Sequence, residues 1–220
     1  VGRLLAQRLG YLYLDTGAMY RALAWKALRA GVPLEDAEAL TRLAQTSRIT
    51  LSGDPEHLRV AIDGQEVTEA IRAPEISRAA SIIATLEGVR RAIVAAQREM
   101  GRDGGVVLEG RDTGTVVFPD ADVKFFLDAR PEVRARRRWA QERAQGREVS
   151  FEETLRETLE RDRRDQERSA SPLRQAEDAV YLDSSDMSIE QVVERMLEII
   201  RQRLPMKTSA NREREARPSE

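Results

Sequence analysis

The 220-residue chain has no cysteine and a single histidine, His57. Disulfide and thiolate chemistry are excluded, and so is a metal centre built from several imidazoles. The missing cysteine fits a reducing compartment. No apolar run nears the roughly 20 residues that a membrane-spanning helix needs. Aromatics are 5% of the residues against 34% charged, and the formal net charge is −2. That balance describes a soluble, helix-rich protein rather than a general nucleic-acid or membrane binder. Lysine is also scarce: Lys26, Lys124 and Lys207 are the only ones, and arginine supplies the rest of the 36 basic residues.

What is present alternates between strand and helix patterns. VGRLLAQRLG reads as a helix, with Leu4, Leu5 and Leu9 on one face and Gly10 at its end. No capping residue precedes it, so the expectation is a helix entered part-way, with its natural start upstream. A short apolar run at Tyr11–Leu14 leads into Asp15-Thr16-Gly17 and a helix to about Ala30, then a second helix from Leu34 to about Ser47. Ile49-Thr50-Leu51 and the alternating Leu58, Val60 and Ile62 read as short strands, with Asp63-Gly64 as a tight turn. They mark residues 48–70 as a small β-containing insertion. Helical periodicity then runs from Glu75 to Met100 with a break near Gly88. Val106–Glu109 and Val123–Leu127 are nearly continuous apolar runs, as in strands covered on both faces. Pro131 opens a helix interrupted at Arg147–Ser150, a charged helix follows to Arg168, Val180–Leu182 is a last strand, and Ser188 begins a final helix.

Strands alternating with helices of this length predict a parallel sheet flanked by helices. Ligands of such sheets bind beyond the carboxyl ends of the strands. Asp15, Arg111, Asp112 and Asp183 each follow a predicted strand and should gather along that edge.

The arginines are the richest source of chemistry. Arg161, Arg164 and Arg168 share a helical face, with Asp165 beside them. Between Arg130 and Arg168 twelve arginines meet ten acidic residues, an excess too small to track a nucleic-acid backbone. Most are solvated helix-face residues with acidic neighbours; a minority converging on a small anion is the functional reading. An aspartate at 112 can also accept a hydrogen from the exocyclic amine of cytosine, where uracil offers only an oxygen.

Several segments resemble bacterial cytidylate kinases: LDTGAMYRALAW (Leu14–Trp25), AIRAPEISRAAS (Ala70–Ser81), Val89-Arg90, LEGRDTGTVVFPDADVKFFLDA (Leu108–Ala129), ERDRRDQERSASPL (Glu160–Leu173) and YLDSSDMSIEQVVE (Tyr181–Glu194). They occur in that family's order from Val1 to about Arg203. The resemblance implies a P-loop kinase fold, α/β, with a kinase core at 1–30 and 84–204, a helical lid near 134–149, a nucleoside-monophosphate-binding insertion at 31–83 and a disordered tail at 205–220. It implies transfer of the γ-phosphoryl of ATP, with Mg²⁺, to CMP or dCMP by a cytoplasmic monomer. Position by position, it assigns Ser81, Arg90 and Asp112 to the cytosine, and Arg21, Arg111 and Arg168 to the acceptor phosphate with the Thr16 hydroxyl nearby. Arg161 and Asp165 fall to the ribose. Arg134 and Arg138 lie near the lid, where closing arginines reach the transferring phosphoryl. No residue is assigned to a metal.

The family's phosphate-binding loop, of the form GxxxxGK[ST], does not occur in these residues; Met206-Lys207-Thr208 follows no such glycine pattern. The first strand, which the resemblance places mid-sheet, is missing as well. The expectation is a fragment that keeps an acceptor site and cannot catalyse by itself.

Other readings are weaker. Asp15-Thr16-Gly17 and Asp112-Thr113-Gly114 mimic the paired loops of an aspartic protease, but the first opens a helix in a chain poor in strands. An arginine-rich RNA-binding module would interleave stacking aromatics with its basic run, and only Trp139 and Phe151 lie there. A kinase acting on UMP or AMP is disfavoured only by Ser81, Arg90 and Asp112. His57 is expected to be exposed, Trp25 and Met100 to pack in the core, and Asp128 to cap the helix that Pro131 begins.

Overall fold

A computed structural model describes residues 1–204. The tail segment and Met206-Lys207-Thr208 lie outside the described residues. In chain order the elements are α1 (Gly2–Leu9), β1 (Leu12–Asp15), α2 (Thr16–Arg29), α3 (Ala37–Thr46), β2 (Ile49–Ser52), β3 (Arg59–Ile62) and β4 (Gln65–Glu66). Then come α4 (Pro74–Ile83), α5 (Glu87–Met100), β5 (Val106–Glu109), β6 (Phe125–Asp128), α6 (Pro131–Ala144), α7 (Phe151–Glu167), β7 (Val180–Asp183) and α8 (Ile189–Arg203).

The boundaries follow local chemistry. Gly10 ends α1 in the left-handed region at φ 66°, where a side chain would be strained. Asp15, Asp36 and Ser150 cap α2, α3 and α7 by accepting from backbone N–H groups of the first turn. Ser188 and Gln191 form a reciprocal capping box on α8. Pro74 and Pro131 occupy the first positions of α4 and α6, where a missing N–H costs nothing. Asp63 and Gly64 both have positive φ, as a two-residue hairpin between β3 and β4 requires.

β1 pairs with β5 and β6 with β7, both parallel; β2, β3 and β4 form a separate antiparallel sheet. Among the described residues no ladder joins the two parallel pairs. The expectation that β6 is covered on both faces is overturned. Val107, Phe125 and Leu182 pack on a cluster of Leu5 with Val192, Val193, Met196 and Leu197, so α1 and α8 cover one face. Leu127 and Tyr181 remain 41% and 51% exposed.

The larger core surrounds α2. Met19, Leu23 and Ala27 are buried among Leu40 of α3, Val60 and Ile62 of β3, Ile76 and Ile83 of α4, and Val89 and Ile93 of α5. One continuous core therefore spans the predicted insertion and the helices beside it. Trp25 and Met100 pack at its margin. The helical break falls at Ala84–Leu86, slightly ahead of Gly88. α6 runs along α7, joined where Trp139 meets Phe151 edge to face and donates to the Val149 carbonyl at 2.9 Å. None of the described helices is long and apolar enough to cross a membrane.

Candidate functional site

β1 and β5 end at the same level, with Asp15 opposite Glu109 in the register. From β1 the chain enters α2 directly, and Asp15 accepts from the Ala18 N–H at 2.9 Å. From β5 it passes through Gly110-Arg111-Asp112 into a π turn at Thr113–Val117. Position 110 has no room for a side chain. A Cβ there would stand 2.3 Å from Thr16 Oγ1 and 2.8 Å from Thr113 Cγ2. Thr16 itself donates to the Glu109 carbonyl at 2.6 Å, tying the two loops together. Further walls come from α4, α5 and α7.

Nine of the eleven residues expected at the site line one cavity: Thr16, Arg21, Ser81, Arg90, Arg111, Asp112, Arg161, Asp165 and Arg168. At one end Arg90 on α5 pairs with Asp112, at 4% and 6% exposure. Arg90 Nη1 also donates to the Ala84 carbonyl at 2.9 Å, and its guanidinium lies 5.5 Å from the Tyr20 ring centroid. Ser81 Oγ accepts from Arg164 Nη1 at 2.7 Å, which draws α4 toward α7. Arg78 and Glu157 make a second link between those helices at 3.2 Å.

At the other end the buried Asp165 carboxylate holds the cations apart. Arg111 Nε donates to it at 2.8 Å, while Arg161 and Arg168 approach at 3.9 and 3.8 Å. Arg168 Nε donates to the Ser171 carbonyl at 2.6 Å, and Arg21 Nη2 to Asp15 at 2.9 Å. Five arginines thus face three aspartates, an excess of two positive charges.

The crowding shows in the ionisation. Burial and the Arg111 cation push Arg161 down to about 10 against the pull of Asp165, with Arg138 and Arg21 adding to the fall. Burial, then Arg90, lowers Arg168. Burial pushes the Tyr20 phenol up to about 12.

Among the described residues five buried side-chain atoms lack a hydrogen-bond partner, and four of them belong to residues lining this cavity. They are Tyr20 Oη, Arg90 Nε, Arg161 Nε and Arg168 Nη2. Each can donate, so the cavity is chemically incomplete toward an acceptor-rich ligand. The space left between its walls is about 80 Å³.

Arg134 and Arg138 do not line this cavity. Arg134 is locked on Asp162 by two bonds of 2.7 Å and donates to the Ala129 carbonyl. Arg138, half-buried on the same helix, has no ion-pair partner among the described residues. A second cavity of about 470 Å³ opens beside Arg134, between Asp128, Arg130, Asp162, Tyr181 and Asp183. Asp183 therefore lies apart from Asp15, Arg111 and Asp112, contrary to the expected common gathering. Asp128 does not cap α6; it accepts from the Ala129 N–H and the Tyr181 hydroxyl. His57 is exposed and paired only with Asp54.

Tyr20 was missed in the sequence, and Arg164, placed on one face with Arg161 and Arg168, was given no partner there. Tyr20 could have been found from its spacing, since it lies one helical turn beyond Thr16. The Arg164 contact with Ser81 joins residues 83 positions apart and has no local signature.

The chain matches the cytidylate kinase family model over residues 1–202. It is 48% identical over 202 residues to the cytidylate kinase of Geobacter sp. (strain M21), covering 92% of this chain and 87% of that protein. Identity to the cytidylate kinase of Pelotomaculum thermopropionicum is 52% over 194 residues, 88% of this chain and 86% of the relative. A bifunctional pantoate ligase/cytidylate kinase of Synechococcus sp. (strain JA-3-3Ab) is 50% identical over 214 residues, 96% of this chain; the chain spans 40% of that protein's length. With a family match along nearly all its described length and a cavity built from the motifs that suggested it, the chain belongs to the cytidylate kinase family.

Proposed function

We propose that the complete protein transfers the γ-phosphoryl group of ATP to CMP or dCMP, and that the cavity between α2, α4, α5 and α7 holds the acceptor. The observation that carries this reading is the pairing of two excess positive charges with four unpartnered donors in one cavity. A phosphate monoester brings close to two negative charges and several acceptor oxygens. Arg21, Arg111 and Arg168 meet that phosphate. Ser81, Arg90 and Asp112 read the base, Arg161 and Asp165 the ribose, and Thr16 supports the mouth. UMP would set an oxygen against the Asp112 carboxylate, an unpaired contact that costs about 1–3 kcal/mol.

Phosphoryl transfer asks the protein mainly for positioning and charge neutralisation. Arg134 and Arg138 are assigned to the closing step, in which Arg134 exchanges Asp162 for the transferring group. Residues 1–30 and 84–204 act as the core, 134–149 as the lid and 31–83 as the acceptor-binding insertion. Among the described residues no cluster of three acidic or histidine side chains forms a protein cage for a cation. Mg²⁺ would neutralise charge on the ATP phosphates.

The 220 residues carry no GxxxxGK[ST] loop, so by this reading they bind CMP without producing CDP. The test is ADP release from ATP and Mg²⁺ with CMP, dCMP, UMP or AMP, using the gene product read from its own start codon. Turnover with CMP and dCMP alone supports the reading. Turnover confined to UMP or AMP keeps a kinase and overturns the acceptor.

A further inference from the structure

Tyr20 carries the cavity's least expected group. Its side chain is 92% removed from water, its hydroxyl has no partner, and it lines the cavity beside Arg90 and Asp112. A phenol enclosed without a partner destabilises the empty protein, and phenylalanine would fill the same space without that cost. The hydroxyl is therefore best explained by what it meets when the cavity is filled. Because the phenol is pushed up to about 12, it presents an O–H at neutral pH and needs an acceptor.

The neighbours say which end of the ligand supplies it. The Tyr20 ring lies 5.5 Å from the Arg90 guanidinium, whose Nε–H is also unpartnered. Arg90 is in turn ion-paired with Asp112, and all three residues line the cavity. Two free donors thus stand beside the pair assigned to the base. We propose that Tyr20 is a substrate-binding residue whose hydroxyl donates to the pyrimidine ring carbonyl next to the glycosidic nitrogen. That carbonyl is common to cytosine and uracil, so Tyr20 contributes affinity for a pyrimidine while Asp112 distinguishes the two bases. The proposal rests on the acceptor reading above.

The experiment compares the 220-residue chain with its Tyr20→Phe variant by calorimetric titration of CMP and of ribose 5-phosphate, which lacks a base, alongside urea unfolding of both proteins. The expected result is CMP binding weakened about tenfold, ribose 5-phosphate binding unchanged, and unfolding at the same or a higher urea concentration. Equal CMP affinity in the two proteins overturns the proposal and leaves the acceptor reading standing. Equal weakening for both ligands overturns the assignment to the base. Unfolding of the variant at clearly lower urea means the hydroxyl has a partner in the empty protein, and this also overturns it. No CMP binding by the unaltered chain removes the acceptor reading itself.

Discussion

Arg90 on α5 and Asp112 beyond β5 form an ion pair almost wholly removed from water, across 22 positions of chain. A buried pair adds little net stability, but removing one partner strands the other charge. Asp112→Ala leaves Arg90 with only the Ala84 carbonyl and the face of Tyr20. The expected cost is about 3 kcal/mol, the low end for a broken buried pair because those contacts remain. The same variant should lose the preference for CMP over UMP. Urea unfolding checks the first effect and paired CMP and UMP titrations the second; a variant that retained the full CMP preference would refute the base-reading role.

Arg111 serves a different purpose from its neighbour in sequence. Its side chain is 41% exposed and its Nε reaches Asp165 at 2.8 Å, at the end assigned to the phosphate. Arg111→Ala should weaken CMP, dCMP, UMP and AMP by a common factor, roughly tenfold to a hundredfold for a lost charged hydrogen bond. Folding stability should also fall, because the buried Asp165 is left with only Arg161 and Arg168, at 3.9 and 3.8 Å. A loss confined to CMP, measured by titration, would move Arg111 to the base.

Gly110 and Thr16 should behave as a coupled pair. A methyl group at 110 would press on Thr16 Oγ1 and Thr113 Cγ2 and dislodge the bond from Thr16 to Glu109. Gly110→Ala should destabilise by about 1–3 kcal/mol, as overpacking does. Thr16→Ala in the same chain removes the closer contact and should recover part of that loss. Strict additivity of the two substitutions in urea unfolding would contradict direct contact between them.

Much of this was legible because local chemistry and long-range packing agree. Apolar periodicity, Gly10, Pro131 and Ser188 placed the helices, and the Asp63-Gly64 turn placed the β3–β4 hairpin. The resemblance named nine arginine, aspartate and hydroxyl residues that line one cavity. The apolar run at β6 misled, because a run alone does not report whether a second layer covers it: Leu127 and the neighbouring Tyr181 stay exposed. Asp183 misled for a related reason: β7 pairs with β6 and not with β5, so its end opens on another cavity. The engagement of Arg134 by Asp162 and of Ser81 by Arg164 depends on how α7 lies against α6 and α4, which no local pattern encodes.

The central claim is that this cavity recognises a cytidine monophosphate. Calorimetric titration of the 220-residue chain with CMP, dCMP, UMP and AMP at one ionic strength tests it without needing turnover. The account predicts saturable binding of CMP and dCMP and binding of UMP at least tenfold weaker, from the unpaired oxygen at Asp112. UMP or AMP bound as tightly as CMP would contradict it.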